Sequence, residues 1–396
     1  MGYFSVTNII LLFLSIIIYI IYNLYSIIDP NHTITSVNSD KCRKYKGIIG
    51  AEDVIKFGKF LVAPSDDRLK LWEDPNFTTL QVPNGGLYLI NPETEQIRKL
   101  ELKGFPYAAG VVFHPHGIYF TNGFLYVINH AYSKGGERVE VFTLDRQEDL
   151  EDLTKFETLG IRYKYSIKFD DMHMGRLNDL IVTKSAEGKD EIYITQYLPF
   201  ADSVSGRAKG SLSKIPSFGV IGLKLKWSYV FYCKGTKSGL ASCKQITSPK
   251  VSALMNNGIT INPKTGLVYI SRTFDRSVGV FKIDDNDRSV LHHVKEIPIN
   301  YLSDNVEFDE VSNSILIGSL GNMLDHVKYI ENTLKGGLDK EFKCWYGSER
   351  INLENDAVEV VVMTDNGLCG IASMAQVGNK VFMGSWAEDG ILVCDI

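Results

Sequence analysis

The sequence predicts an all-β protein, a six-bladed β-propeller preceded by one N-terminal transmembrane helix. Three observations support this prediction: an uncharged apolar stretch at residues 9–28, six strand-like runs that each follow a polar turn, and a cysteine near each end of the remaining chain. A β-sandwich, or several small β domains, is the alternative that these runs leave open.

The composition describes a folded chain with no bias towards nucleic acid. Of the 396 residues, 44% are hydrophobic and 22% are charged, which provides a real core and excludes disorder as the main state. The chain has 42 Lys and Arg against 47 Asp and Glu, and no extended basic stretch. A nucleic-acid-binding surface is therefore not expected, and the partner is expected to be a small molecule or a protein.

The N-terminal apolar stretch, residues 9–28, reads IILLFLSIIIYIIYNLYSII. At about 1.5 Å per residue, a helix of this length spans about 30 Å, the thickness of a bilayer core. A cleaved signal peptide would have a shorter apolar region and a small-residue cleavage motif after it. We therefore interpret the stretch as an uncleaved signal anchor, with residues 1–8 as a short cytosolic tail and residues 29–41 as a juxtamembrane linker.

The orientation of this anchor has to come from features other than charge, because the first Lys or Arg of the chain is Lys41. Glycosylation sequons at Asn31 and Asn76 could be used only if the residues after the anchor are lumenal or extracellular. A disulfide between Cys42 and Cys394 would also require an oxidising compartment. We expect a single-pass protein of the endoplasmic reticulum or cell surface, with its C-terminal domain outside the cytosol.

Residues 42–396 show no long amphipathic helical pattern and no Pro- or Ser-rich linker, but short strand-like runs recur. These runs begin at Gly85, Asn122, Asp190, Gly266, Asn313 and Asn379. Their spacing, about 40 to 75 residues, suits repeated four-stranded sheets with variable loops better than a solenoid of strict period. A ring of sheets has to join its two ends, and a Cys42–Cys394 bridge would do this.

Pairs of acidic and amide residues lie beside several of the apolar runs. The pairs are Glu52-Asp53, Asn178-Asp179, Asn256-Asn257 and Asp304-Asn305. Ca²⁺ takes about six to eight oxygen ligands from carboxylates, amides and backbone carbonyls, and distant loops can supply them. No EF-hand loop is present, so such ligands would have to converge at the axis of the ring. A role in turns is the alternative for any single pair.

Histidines form a second candidate constellation, with His116 in FHPHGI at 113–118 and His130 in INH at 128–130. Two histidines on a strand and its turn can lie close enough for one to orient the other as a general base. A surface or core role is the alternative. Motifs of the types H-E-x-x-H, C-x-x-C and G-x-S-x-G are absent, so zinc hydrolysis and an elbow serine have no support.

Taken together, these motifs resemble the paraoxonases, calcium-dependent lactonases and arylesterases with a six-bladed propeller fold. The resemblance runs from Cys42 to Cys394 and rests on the order and spacing of eight segments. The segments are GAED at 50–53, FHPHGI at 113–118, INH at 128–130, LND at 177–179, KWSYVFY at 226–232, NNGITINPKTGLVYIS at 256–271, SDNVEFD at 303–309 and the terminal VCDI.

The resemblance implies two calcium ions and a histidine pair. It implies that the catalytic Ca²⁺ is held by Glu52, Asn178, Asn257, Asp304 and Asn305. It implies that a structural Ca²⁺ is held by Asp53, Asp179 and the backbone carbonyl of Ile118. The catalytic histidines would be His116 and His130, Cys42–Cys394 would be the bridge that closes the propeller, and the N-terminal anchor would be retained.

The chain also departs from the family. Gln196-Tyr197 lies where the family usually has an Asn-Asp-His run, and Gly318-Ser319 lies where several members have a free cysteine. The segments 64–84, 201–215 and 233–250 look different, and they would cover the mouth of the propeller, so substrate specificity does not transfer. Four further cysteines, Cys233, Cys243, Cys344 and Cys369, show no metal-binding spacing and are expected to form further disulfides.

The expected function is hydrolysis of lactones or aryl esters, in which Ca²⁺ polarises the carbonyl, His116 deprotonates the attacking water and His130 holds or relays the proton. Direct assistance by Glu52 or Asp304 is an open alternative. A different class of function is also open: some membrane-anchored paraoxonase-like proteins act as assembly partners or chaperones of membrane channels. Gluconolactonases share the architecture but not this order of motifs.

Overall fold

The structure is a computed structural model of the chain, and it describes residues 6–74, 83–131, 137–169, 174–185, 187–202, 211–234, 239–335 and 344–396. Helix α1 covers Val6–Ile28. Its segment Thr7–Ile28 is long and apolar enough to cross a membrane, and its side chains are largely exposed, as lipid-facing side chains are. The chain therefore begins with one apolar helix that has the properties of an anchor or a signal, and it starts three residues before the predicted stretch.

The strand pairing within the described residues gives four sheets of four strands and one sheet of nine strands, in which β10 pairs with β14. In chain order we divide these strands into six groups of four, plus the short β6. Strand β1 (Cys42–Ile49) belongs to the last group and precedes the first. The first group is β2 (Ile55–Phe57), β3 (Phe60–Ser65), β4 (Gly86–Ile90) and β5 (Ile97–Lys99), followed by the short β6 (Leu102–Lys103). The second group is β7 (Pro115–Thr121), β8 (Phe124–Asn129), β9 (Arg138–Leu144) and β10 (Ile161–Phe169).

The remaining groups follow in chain order, with two helices between strands. The third is β11 (Arg176–Lys184), β12 (Asp190–Leu198), helix α2 (Ser211–Gly222), β13 (Val230–Lys234) and β14 (Gly239–Gln245). The fourth is β15 (Asn256–Asn262), β16 (Leu267–Arg272), β17 (Ser277–Ile283) and β18 (Leu291–Pro298). The fifth is β19 (Leu302–Asp309), β20 (Ser314–Leu320), helix α3 (Met323–Leu334), β21 (Tyr346–Asn352) and β22 (Val358–Thr364), and the sixth is β23 (Ile371–Val377), β24 (Lys380–Ser385), β25 (Asp389–Asp395) and β1.

The first strands of the groups form a ring. Strand β7 contacts β11, β11 contacts β15, β15 contacts β19 and β19 contacts β23, while β2 contacts both β7 and β23. The first strand of each group thus lies innermost, and the other three strands run outwards from it. The predicted all-β, propeller-like architecture is confirmed by this arrangement, which is neither a β-sandwich nor a set of separate small β domains, whereas the number of six blades stays a prediction.

The last group is completed by the N-terminal strand β1, which pairs with β25 so that Cys42 lies opposite Cys394. These two cysteines form a disulfide. A second bridge, Cys233–Cys243, also joins paired residues of neighbouring strands, β13 and β14. The third bridge is Cys344–Cys369, so all six cysteines are in disulfides.

The apolar core lies between neighbouring sheets rather than at the centre of the ring, which we call the hub. One cluster joins Phe57 and Phe60 of the first group to Phe142 of the second. Another joins Val280 of the fourth group to Ile317 of the fifth. Because each sheet packs on the next through apolar faces, the hub is left to the polar residues at the ends of the innermost strands.

Helices α2 and α3, each of twelve residues, correct the expectation that no long helical pattern follows residue 41. Helix α2 contains Pro216 and no clear apolar stripe, and it packs against α1, where Asn23 Nδ2 donates to the carbonyl of Gly222 at 2.8 Å. Helix α3 begins after Asn322, whose side chain accepts from the backbone N–H of Leu324. Tertiary contacts therefore stabilise α2, which local pattern alone does not predict, whereas α3 has an N-cap residue and an apolar face that are visible in its sequence.

Candidate active site

The predicted site residues lie where the innermost strands lose regular pairing. The register shifts between Pro115 and Ile118 in β7, Leu177 and Leu180 in β11, Asn256 and Ile259 in β15, and Ser303 and Val306 in β19. These irregular stretches contain His116, Asn178, Asp179, Asn257, Asp304 and Asn305. A bulge breaks the strict alternation of side chains along a strand and changes their direction. Adjacent polar residues can therefore both point towards the hub.

Two glycines allow these strands to approach one another. A Cβ on Gly117 would lie 2.3 Å from the carbonyl oxygen of Asn178. A Cβ on Gly258 would lie 2.4 Å from the backbone nitrogen of Val306 and 2.5 Å from Cα of Asn305. Backbone atoms cannot move aside as flexible side chains do, so only glycine fits at these two contacts.

Glu52, which lies just before β2, is in contact with side chains from other groups of strands. Its Oε1 accepts from Asn305 Nδ2 at 2.8 Å and lies 3.4 Å from His116 Nε2. The same His116 nitrogen lies 3.2 Å from Asn178 Nδ2. Asn257 also hydrogen-bonds to Asp304. The structure thus brings together the five residues predicted for the catalytic ion, although they are far apart in sequence.

Four side-chain oxygens of this set are buried without a hydrogen-bond partner in the part of the chain that the structure describes. They are Glu52 Oε2, Asn178 Oδ1, Asn257 Oδ1 and Asn305 Oδ1. A buried polar atom left unsatisfied costs about 1–3 kcal/mol, so four in one place require an explanation. Carboxylate and amide oxygens are the ligands that Ca²⁺ prefers, and a cation here would satisfy all four.

The amide oxygens are essential to this fit. Among the described residues, no group of three or more His, Cys, Asp or Glu side chains is arranged to hold a metal ion. The candidate set instead combines the carboxylates of Glu52 and Asp304 with three amides. A hard cation suits this donor set, whereas zinc, which prefers nitrogen and sulfur ligands, does not.

Burial shapes the electrostatics of these carboxylates. It raises the pKa of Glu52, against which the charge of Arg68 and the hydrogen bond from Asn305 act. Burial and the charge of Glu52 raise the pKa of Asp304 well above its usual value. Two buried carboxylates that repel each other favour the binding of a positive charge between them.

The residues predicted for the structural ion lie next to the first set. Asp53 Oδ2 accepts from the backbone N–H of Ile118 at 3.0 Å, and Asp179 Oδ2 accepts from the N–H of Ile259 at 2.8 Å. Burial and neighbouring carboxylates raise the pKa of both aspartates well above the usual value. Glu307, which sequence reasoning missed, adds to this charge, and burial raises its own pKa to about 8.

His116 and His130 lie together, with ring centroids 4.7 Å apart. Both are buried. The Trp72 ring lies 5.6 Å from that of His116 and 5.7 Å from that of His130, and it covers both. Tyr197 stacks almost parallel to His116 at 6.2 Å. The predicted pair is therefore in contact and is enclosed by aromatic rings.

Arg68 is a second functional candidate that sequence reasoning missed. It is fully buried, and its Nε donates to His116 Nδ1 at 3.1 Å. A second guanidinium nitrogen donates to the carbonyl of Gly50 at 2.5 Å, and the third donates to the carbonyl of Pro115. Arg68 lies in segment 64–84, where the sequence indicated only a difference from the family, and no motif marks it.

Two departures from the family have structural roles. Gln196 Nε2 donates to the carbonyl of Met174 at 2.8 Å, and its Oε1 accepts from the backbone N–H of Tyr229 at 3.3 Å, so this side chain ties backbone segments together. Ser319 Oγ donates to Glu349 Oε2 at 3.2 Å. Of the two sequons, Asn31 is exposed just after α1, and Asn76 lies outside the described residues.

Comparisons with curated proteins and solved structures give only distant likenesses. No curated protein matches the chain. Among solved structures, a protein assigned as a gluconolactonase is 11% identical over 92% of this chain and 97% of its own, with a TM-score of 0.49. A protein from Bacteroides uniformis assigned as a 6-phosphogluconolactonase is 12% identical over 85% of this chain and 78% of its own, with a TM-score of 0.42. Likenesses this distant carry no argument about function.

A family model gives the more direct result. The model described as Arylesterase matches residues 75–333, which is well over half of the chain. This stretch includes both histidines and all predicted ion ligands except Glu52 and Asp53. The protein is therefore a hydrolase of the arylesterase family, the family of the paraoxonases.

Proposed function

We propose that the protein is a calcium-dependent hydrolase of lactones and aryl esters. The observation that carries this proposal is the group of four buried oxygens of Glu52, Asn178, Asn257 and Asn305 that have no hydrogen-bond partner among the described residues. They come from four groups of strands and lie at one hub. Membership of the arylesterase family supplies the reaction class.

The proposal includes two Ca²⁺ ions. The catalytic ion would be held by Glu52, Asn178, Asn257, Asp304 and Asn305. The structural ion would be held by Asp53, Asp179 and the carbonyl of Ile118. When bound, the catalytic ion would polarise the substrate carbonyl and stabilise the negative charge that develops on its oxygen.

The chain's own residues would provide acid–base chemistry and shielding. His116 and His130 would accept a proton from water as its oxygen bonds to the carbonyl carbon, and would return the proton to the leaving oxygen as the ester bond breaks. Trp72, which packs on both rings, would keep bulk water away from them. Such positioned proton transfer contributes about 10²–10⁴ in rate.

The proposed location is a membrane, with α1 retained as a single-pass anchor and the propeller lumenal or extracellular. Three disulfides support an oxidising compartment. Asn31 is exposed directly after α1, where a glycan could be attached. The contact between Asn23 and the carbonyl of Gly222 further ties α1 to the folded domain.

The decisive experiment is a panel of lactones and aryl esters, assayed with the full chain in detergent, with Ca²⁺ or with excess chelator. Activity should require Ca²⁺, and Asn257→Ala should lower both calcium affinity and turnover. Asn262→Ala is the matched control, because Asn262 lies on the same strand but its Oδ1 accepts from the N–H of Lys264 at 2.9 Å. Full activity in chelator would refute the role of calcium.

The same experiment separates the hydrolase from an assembly partner of a membrane channel. A partner that uses calcium only for folding would bind the ion and lose stability in Asn257→Ala. It would hydrolyse no member of the panel at any calcium concentration. Turnover that Asn257→Ala removes while the fold is intact would favour the hydrolase.

A further inference from the structure

A pocket of about 280 Å³ lies where the C-terminal end of α1 meets the folded domain, and we call it the anchor pocket. One side of this pocket is apolar. Ile27 of α1 packs with Leu254 in a buried cluster, and Phe274 packs against this cluster. Because Ser26 and Ile27 form part of the lining, the pocket exists only in a chain that keeps α1.

The other side of the anchor pocket is basic. Lys224, Lys226 and Arg276 line it. Lys226 Nζ lies 3.7 Å from Asp275 Oδ1. Arg276 Nη1 donates to Asp29 Oδ2 at 2.9 Å. Lys224 is exposed just after α2, and the described residues offer it no acidic partner. Three cations are thus opposed by two carboxylates, which leaves a positive excess for an anionic ligand.

Aromatic side chains place the anchor pocket at the surface of a bilayer. Near the end of α1, the side chains of Tyr22 and Tyr25 are 68% and 56% exposed, and Trp227, next to the basic residues, is 45% exposed. Tyr and Trp side chains concentrate at the boundary between the hydrocarbon and the headgroups of a membrane. The lipid headgroups would therefore lie at the level of Lys224 and Lys226.

A phospholipid headgroup matches both sides of the pocket. Lys and Arg form charge-assisted hydrogen bonds with phosphate oxygens, and basic pockets beside membrane helices bind anionic headgroups. The glycerol end of the acyl chains would lie against the apolar side, whereas free phosphate would leave that side without a partner. A volume of about 280 Å³ is close to the lower limit of small-ligand sites, about 300 Å³, so it suits a headgroup rather than a whole lipid.

We propose that the anchor pocket binds the headgroup of an anionic membrane phospholipid. Its phosphate lies between Lys224, Lys226 and Arg276, and its glycerol lies against Ile27 and Phe274. A lipid bound here bridges α1, the end of α2 and the fourth group of strands, and so holds the domain against the bilayer. This inference rests on the proposed retention of α1 as an anchor and goes beyond the proposed hydrolysis, in which this lipid takes no part.

The test is lipid binding by the full chain in an uncharged detergent, purified through a tag at its N-terminus so that α1 is present. Native mass spectrometry measures the binding of dihexanoyl-phosphatidylglycerol, of dihexanoyl-phosphatidylcholine and of inorganic phosphate. Wild type should bind the phosphatidylglycerol more tightly than the other two. Lys224→Gln should weaken this binding about fivefold, the effect of removing one basic residue at a bilayer surface, and Lys224→Gln with Lys226→Gln about 25-fold.

Lys264→Gln is the matched control and should bind phosphatidylglycerol as wild type does. Lys264 is an exposed lysine beyond the C-terminal end of β15, and its Nζ lies 3.1 Å from Glu310 Oε1. Near-UV circular dichroism on each variant shows whether its tertiary structure is intact.

Equal binding of phosphatidylglycerol by wild type and the double variant would overturn the proposal. Equal affinity for phosphatidylcholine would overturn it too, because charge would then not select the ligand. Displacement of the lipid by inorganic phosphate at the same concentration would show a phosphate site and not a lipid site. N-terminal sequencing of the chain made in secretory cells tests the anchor separately: loss of α1 would refute its retention, while binding by the full chain still decides whether the pocket selects anionic lipid.

Discussion

Removal of the bridge between Cys42 and Cys394 should destabilise the protein more than removal of the bridge between Cys233 and Cys243. Both bridges join directly paired residues of adjacent antiparallel strands, with Cα–Cα distances of 4.0 Å and 4.1 Å. They differ in the length of chain that they close, 352 residues against 10. The comparison therefore isolates loop length from local geometry.

The chain-entropy relation gives the expected size of this difference. Closing 352 residues restricts the unfolded chain by about 6 kcal/mol at 25 °C, and closing 10 residues by about 3 kcal/mol. The Cys42–Cys394 bridge should thus contribute about 3 kcal/mol more to the free energy of unfolding than the Cys233–Cys243 bridge. Residual structure in the unfolded chain lowers both values.

The assay is equilibrium unfolding in guanidinium chloride of two double variants, Cys42→Ala with Cys394→Ala and Cys233→Ala with Cys243→Ala. Both are measured in the full chain at the same calcium and detergent concentrations. The extrapolated free energy of unfolding should fall more in the first variant. An equal loss in both variants, or a larger loss in the second, would refute the entropic argument for ring closure.

Three further predictions concern pH, packing and topology. Burial lowers the pKa of His326 from 6.5 to about 4. Between these pH values only the unfolded chain binds a proton at this residue, so the free energy of unfolding should fall by up to about 3 kcal/mol as the pH drops from 6.5 to 4. His326→Gln should flatten this dependence in urea titrations at several pH values. Gly258→Ala places a Cβ 2.4 Å from the backbone nitrogen of Val306. This clash should lower the free energy of unfolding by about 1–3 kcal/mol. It should also weaken calcium binding, which calorimetry measures. Asn31→Gln should remove one endoglycosidase-sensitive mass shift from the protein made in secretory cells, and an unchanged shift would contradict a lumenal position of Asn31.

Much of the fold follows from local pattern. Polar turns followed by β-branched runs mark the strands, and the cysteines at the two ends indicate where a ring would close. Helix α2 was missed because its sequence has no apolar stripe of helical period and contains Pro216. The pairing of Cys344 with Cys369 could not be derived either, because it depends on the packing of two neighbouring groups of strands.

The candidate site likewise contains residues that the sequence predicts and residues that only the structure identifies. The oxygen-bearing pairs stand out in the sequence, because carboxylates and amides beside apolar strands are unusual. Arg68 does not, since its meaning comes from burial and from a contact with His116, 48 positions further along the chain. Glu307 is likewise an ordinary charge in sequence. Residues that reach the site from other loops can be recognised only from the three-dimensional structure.

The outer strand β10 has a consequence for the solubility of the protein. The edge of β10 that faces away from β9 is not left open. It pairs in parallel with β6 at Ile161 and Arg162, and in parallel with β14 at Ile167 to Phe169. Exposed strand edges are templates on which other chains can add strands and form aggregates. The outer strands of two adjacent groups, β10 and β14, thus cover each other's edges, so this part of the perimeter offers fewer unpaired backbone groups to a neighbouring molecule.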